Sequence, residues 1–150
     1  MAKFIFKMQN ILDVKLKLED QAKSVYASAI GKLEEEKEKK RLLDQRKKDY
    51  ESKLTSMMYE KLQVMEIRQL EEAVEVIKYR IQEQMIAIKS AELRVEQAKI
   101  ALNVAMVERK TYEKLKEKEF EEFKREVNAQ EKKEIDELVS YTFSKPKEMV

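Results

Sequence analysis

The residues best equipped for chemistry in this chain are carboxylates and amines. Glu34-Glu35-Glu36 and Glu121-Glu122 place carboxyl groups side by side, where they could share a proton or hold a divalent cation weakly. Acid–base catalysis needs more than neighbours: one carboxyl must have a shifted pKa inside a water-poor pocket. The chain has no histidine and no cysteine. That excludes zinc sites built on those residues, Cys–His and Ser–His–Asp devices, and disulfides. A cytosolic protein is the default for such a chain. Its single glycine, Gly31, cannot supply the glycine-rich cradle of a P-loop or a dinucleotide site.

The amines fare no better as a nucleic-acid site. Lys37, Lys39, Lys40, Arg41, Arg46, Lys47 and Lys48 alternate with Glu34, Glu35, Glu36, Glu38, Asp44 and Asp49, and the alternation cancels the field that phosphates reward. Over the whole chain 32 basic groups face 30 acidic ones. Residues 1–50 carry 13 basic against 9 acidic groups, a net charge of +4, which is too mild to argue for DNA. No nucleic-acid partner is expected. No uncharged run approaches the roughly 20 residues of a membrane span, and the N-terminal apolar run is too short for a secretory signal.

The elements that must position these groups are helices. Alanine, glutamate, lysine, leucine and arginine make up about half the chain, with one glycine and one proline; this is the composition of long helices. Ile67, Leu70, Val74, Ile77, Ile81, Gln84, Ile88, Ala91, Val95, Ala98, Leu102, Ala105, Arg109 and Tyr112 recur at alternating spacings of three and four. All but Gln84 and Arg109 are apolar, so the spacing predicts a heptad seam. Beyond it Leu115, Phe120, Phe123, Val127, Ile135 and Leu138 continue the stripe with four- and five-residue steps, a slip that changes the supercoil locally. One helix is expected over about 64–142, followed by a frayed tail at 143–150 that contains Pro146.

An earlier helix is expected over about 8–54, with Met8, Ile11, Leu12, Leu18, Ala22, Val25, Ala29 and Leu33 on its apolar face. Residues 34–49 then hold 13 charged groups in 16. They read either as a solvated helix laced by pairs such as Glu36–Lys40 and Glu35–Lys39, or as a switchable, partner-facing stretch. The turn is expected over about 55–63, where Thr55 and Ser56 are the best capping residues. A short connection favours antiparallel neighbours. The expected fold is therefore all-α, a single long antiparallel two-helix coiled-coil hairpin. A turn near residue 58 pairs Met8 near residue 108 and leaves about 30 residues of the second helix overhanging, an apolar stripe in water and thus a contact surface; a later turn brings the termini level. A two-helix hairpin has almost no concave interior, so no catalytic, cofactor or metal site is expected. Three of the 8 methionines fall within residues 55–65; they either pack the turn or form an adaptable binding surface.

The opening Phe4-Ile5-Phe6-Lys7-Met8-Gln9-Asn10-Ile11-Leu12, the segment Glu108-Arg109-Lys110-Thr111-Tyr112-Glu113-Lys114-Leu115-Lys116-Glu117-Lys118, and the run Glu131-Lys132-Lys133-Glu134-Ile135-Asp136-Glu137 together resemble the FliJ family of the bacterial flagellar export apparatus. Met8 stands where leucine is more usual, and Lys132 where the family has glutamine. The resemblance implies a soluble, non-enzymatic component of flagellar type III secretion, serving flagellum biogenesis and through it motility and chemotaxis. Its coiled coil would be similar to the central stalk of rotary ATPases. The implied partners are the hexameric export ATPase (FliI type), the export gate protein (FlhA type), and export substrates or their chaperones. The implied location is cytoplasmic, peripheral to the membrane at the flagellar base.

On that resemblance Phe4, Phe6, Ile11, Leu12, Arg125, Lys132, Lys133, Asp136 and Glu137 are expected at the ATPase ring. Arg46, Tyr50, Met57, Met58, Tyr59 and Leu62 are expected at the export gate, with Tyr50 the best single choice because an aromatic with a polar tip suits a wet interface. The alternatives are a stand-alone export chaperone, a structural coiled coil, and the equivalent stalk of an injectisome, the YscO type.

Overall fold

The computed structural model describes residues 3–59 and 64–144. They form two helices, α1 (Gln9–Met58, 50 residues) and α2 (Val64–Ser144, 81 residues), with no strand among the described residues. The chain is all-α, and the helices pack on each other as an antiparallel hairpin. Reading upward along α1, Gln9, Glu19 and Glu36 meet Lys116, Arg109 and Gln84 in descending order on α2. The helices run unbroken because nothing inside them stops them: the lone proline falls after α2. Gly31 is exposed, lies in regular helix, and would meet nothing if it carried a Cβ.

Two compact units make up the fold. One joins Met1–Glu19 to Ala105–Val150, and the other is Asp20–Val104. In the second unit the core is Val74, Ile77, Ala91 and Ala98. In the first it is Phe6 and Leu12, and Glu19 is buried there as well.

Every α2 position read as seam from Ile67 to Tyr112 is buried or half-buried. On α1 the inward face is a strict heptad series as well: Leu12, Lys15, Glu19, Ala22, Tyr26, Ala29, Leu33, Glu36, Lys40, Leu43, Lys47, Tyr50, Leu54 and Met57 are all buried or half-buried. This differs from the apolar face read from sequence. Leu12, Ala22, Ala29 and Leu33 lie inward, whereas Met8, Ile11, Leu18 and Val25 are exposed. The physical reason is that charged residues occupy seam positions. A lysine there lays its aliphatic stem along the seam and sends its ammonium outward.

The charged stretch also pairs differently from expectation. Glu36 turns inward and takes Lys39 at 3.4 Å, while Lys40 pairs with Asp44 at 2.9 Å and Arg41 with Glu38 at 2.7 Å. Thr55 caps nothing. It lies within α1, and its hydroxyl donates to the Glu51 carbonyl at 3.0 Å. The Tyr59 N–H donates to the Ser56 carbonyl at 3.3 Å, so the last turn of α1 tightens to three-residue spacing.

Candidate functional site

The carboxylate runs do not converge on one point, and helix geometry shows why. Consecutive helical residues point about 100° apart. Glu34 and Glu35 are exposed, and only Glu36 turns toward α2. Among the described residues no three acidic side chains converge to hold a metal ion. The candidate sites are therefore surfaces, one in each unit.

In the unit built from the chain's ends, residues 3–8 precede α1, and Phe4 lies against α2. The Phe4 ring meets Phe120 edge-on at 5.2 Å and Phe123 at 5.5 Å between centroids, favourable geometries for aromatic pairs. The Phe6 carbonyl accepts the Gln9 N–H at 3.1 Å and the Met8 carbonyl accepts that of Leu12 at 3.0 Å, which closes the first turn of α1. The Phe6 side chain is 5% exposed. Phe4, Gln9, Leu12, Leu16, Lys116 and Phe120 line an open, mostly apolar hollow of about 570 Å³. The Lys124 ammonium lies over the Phe120 ring, 4.7 Å from its centroid, a cation–π contact.

Polar groups fix the register of this unit. The Arg109 guanidinium grips Glu19 through two bonds, Nε at 2.6 Å and a terminal nitrogen at 3.2 Å, and reaches Glu113 at 2.8 Å. Hydrogen bonds to Glu19 and then to Glu113 hold its pKa above the ordinary arginine value. Lys15 pairs with Glu108 at 3.0 Å, and Lys116 donates to Gln9 at 2.7 Å. The other polar seam position of α2 behaves likewise in the second unit. The Gln84 amide donates to the Glu36 carbonyl at 2.8 Å and to the Glu36 carboxylate. That second bond, ahead of Lys39, holds the Glu36 carboxyl below its usual range. The two polar interruptions of the α2 stripe, Gln84 and Arg109, are thus cross-helix anchors.

The sequence-expected contact residues divide by exposure. Of the set expected at the ATPase ring, Phe6 and Leu12 are buried and Phe4 half-buried, all within the chain's own packing. Ile11, Arg125, Lys132, Lys133, Asp136 and Glu137 are exposed. From residue 128 to residue 143 every α2 side chain is exposed, Ile135, Leu138 and Phe143 included. Of the set expected at the gate, Arg46, Met58 and Tyr59 are exposed, with Tyr59 at 89%. Tyr50 and Met57 sit half-buried in the seam. Leu62 lies outside the described residues. Sequence reasoning missed the anchors Glu19, Lys15 and Gln9. Their signal was present: each falls on, or one turn before, a strict three-four series that admits charged residues.

Residues 4–148 match the family described as Flagellar FliJ protein. Among solved structures, the fold is similar to the YscO homolog CT670 of Chlamydia trachomatis. The TM-score is 0.70 at 19% sequence identity, over 97% of this chain and 100% of that one. No curated protein matches this chain.

Proposed function

We propose that this chain, which belongs to the flagellar FliJ family, serves the flagellar type III export apparatus as a stalk for its hexameric ATPase and as a link to the export gate. The observation that carries the reading is the family match across residues 4–148, borne on a two-helix fold with exposed side chains at both candidate surfaces. A hexameric ring offers six equivalent sites. An asymmetric helical hairpin in its pore touches them unequally and biases which interface closes on nucleotide. Hydrolysis belongs to the ring; this chain contributes contact and no catalytic group. A general chaperone role toward export substrates fits the same exposed apolar residues. None of the described helices is long and apolar enough to cross a membrane. In this reading the link to the gate is made from the membrane's cytoplasmic face.

Exposed Ile11, Arg125, Lys132, Lys133, Asp136 and Glu137 are the contacts offered to the ring, with Phe4, Phe6 and Leu12 holding the segment that presents them. Arg46, Met58 and Tyr59 are those offered to the gate, together with Leu62 and with Tyr50 and Met57 at the seam edge. The test is affinity capture of the purified export ATPase by the full chain and by an Ile11→Ser, Lys132→Glu, Lys133→Glu variant whose helicity is unchanged by circular dichroism. The expected result is capture by the native chain, a raised rate of ATP hydrolysis, and loss of both in the variant. Undiminished capture by the variant overturns the residue assignment. Capture of export substrates with no effect on the ATPase identifies a stand-alone export chaperone.

A further inference from the structure

The seam of α2 accounts for one side of that helix. The opposite side carries a second heptad series. Tyr79, Ile86, Leu93 and Ile100 stand seven residues apart, each two residues after a seam position, Ile77, Gln84, Ala91 or Ala98. Two residues turn a helix by about 200°, so these side chains point away from α1. They are 65%, 69%, 60% and 55% exposed. Single exposed apolar residues need no explanation, but a row at constant seven-residue spacing matches the surface of another helix running alongside.

The flanks of the row identify that helix. Beside it on one edge stand Gln82, Lys89, Glu96 and Asn103. This edge is self-complementary when read against itself in the opposite direction: Lys89 falls opposite Glu96, and Gln82 opposite Asn103. In the same alignment Leu93 meets Ser90, Ile86 meets Gln97, and Ile100 meets Glu83, so each large apolar side chain faces a smaller or polar one. Glu83, one turn from Tyr79, holds the Tyr79 hydroxyl protonated above the ordinary tyrosine range. On the other edge Arg94 meets Ala87 and Arg80 meets Ala101, with no like charges opposed. A parallel pairing instead sets Lys89 against Arg94, which repel. Neither Lys89 nor Glu96 has an ion pair within its own chain among the described residues.

We propose that two copies of this chain associate through the outward face of α2, antiparallel and two-fold symmetric, with Lys89 of each copy against Glu96 of the other. The contact is isologous, so it closes at a dimer. Its layers mix polar with apolar groups, which makes it a weak, reversible association rather than an obligate one.

The test is sedimentation of the full chain over a concentration series reaching about 1 mM, the weak end of measurable affinity. The expected native result is a shift from the 17.9 kDa monomer toward twice that mass. Leu93→Glu, at an exposed site, is expected to keep its helicity and to raise the dissociation constant about tenfold or more. Lys89→Glu alone and Glu96→Lys alone are expected to weaken dimerisation, because each opposes like charges twice. An equimolar mixture of the two single variants restores it, because every contact in the mixed dimer again joins a lysine to a glutamate. A monomer at every concentration overturns the proposal, as does a dimer indifferent to Leu93→Glu. A mixture that fails to recover overturns it too.

Discussion

Arg109 and Glu19 show what a single polar pair does inside a helical seam. Each interrupts the apolar stripe of its helix, and the two meet across it in a forked, charge-assisted contact. An apolar seam tolerates a sliding register because one leucine layer resembles the next. A fork that must find one carboxylate does not, which is the best-attested use of buried polar groups in coiled coils. Glu19→Leu is expected to lower the melting temperature, because Arg109 loses two bonds while its side chain stays 18% exposed. The loss falls short of the roughly 3–5 kcal/mol typical of breaking a fully buried pair, since Arg109 keeps Glu113. Glu19→Leu with Arg109→Leu is expected to recover most of the melting temperature. Thermal unfolding of both singles and the double measures the coupling, and strictly additive losses contradict the anchor role.

Among the elements, both helices were legible, the α2 seam in full and the α1 seam only in part, for one physical reason. The α2 seam is apolar at all but Gln84 and Arg109, so hydrophobic periodicity finds it. The α1 seam seats Lys15, Glu19, Glu36, Lys40 and Lys47 between Leu12, Ala22, Leu33, Leu43 and Leu54. A reading that follows hydrophobicity then slides onto Ile11, Leu18 and Val25, which face water. Tyr50 and Met57 fall on the same three-four series and are half-buried in it. The uninterrupted helix through Gly31 was legible as well. That glycine weakens α1 without serving a turn or a close approach, since a Cβ there meets open space. Gly31→Ala is expected to stabilise by about 1 kcal/mol through the lost backbone entropy of the unfolded chain. That corresponds to a rise of about 2–4 °C in melting temperature for a chain of this size. A fall in melting temperature points to a packing role for the bare backbone.

For the whole molecule, the proposed role requires that the two units serve different partners, because a link that binds one partner with both units links nothing. The unit of the chain's ends presents Ile11 and the mixed-charge run from Lys132 to Glu137, whose contacts weaken as salt screens them. The unit containing the turn presents Met58 and Tyr59, whose apolar and aromatic surface is far less sensitive to salt. A photo-crosslinking residue at Ile11 or Lys133 in the full chain is expected to capture the export ATPase, with a yield that falls between low and high ionic strength. One at Tyr59 is expected to capture the gate subunit, with little salt dependence. Nothing in the fold forbids the reverse assignment, so the experiment is decisive in both directions. Exchange of the two products reverses the polarity of the stalk. Capture of the ATPase alone from both positions removes the gate link and leaves a component that acts on the ring only.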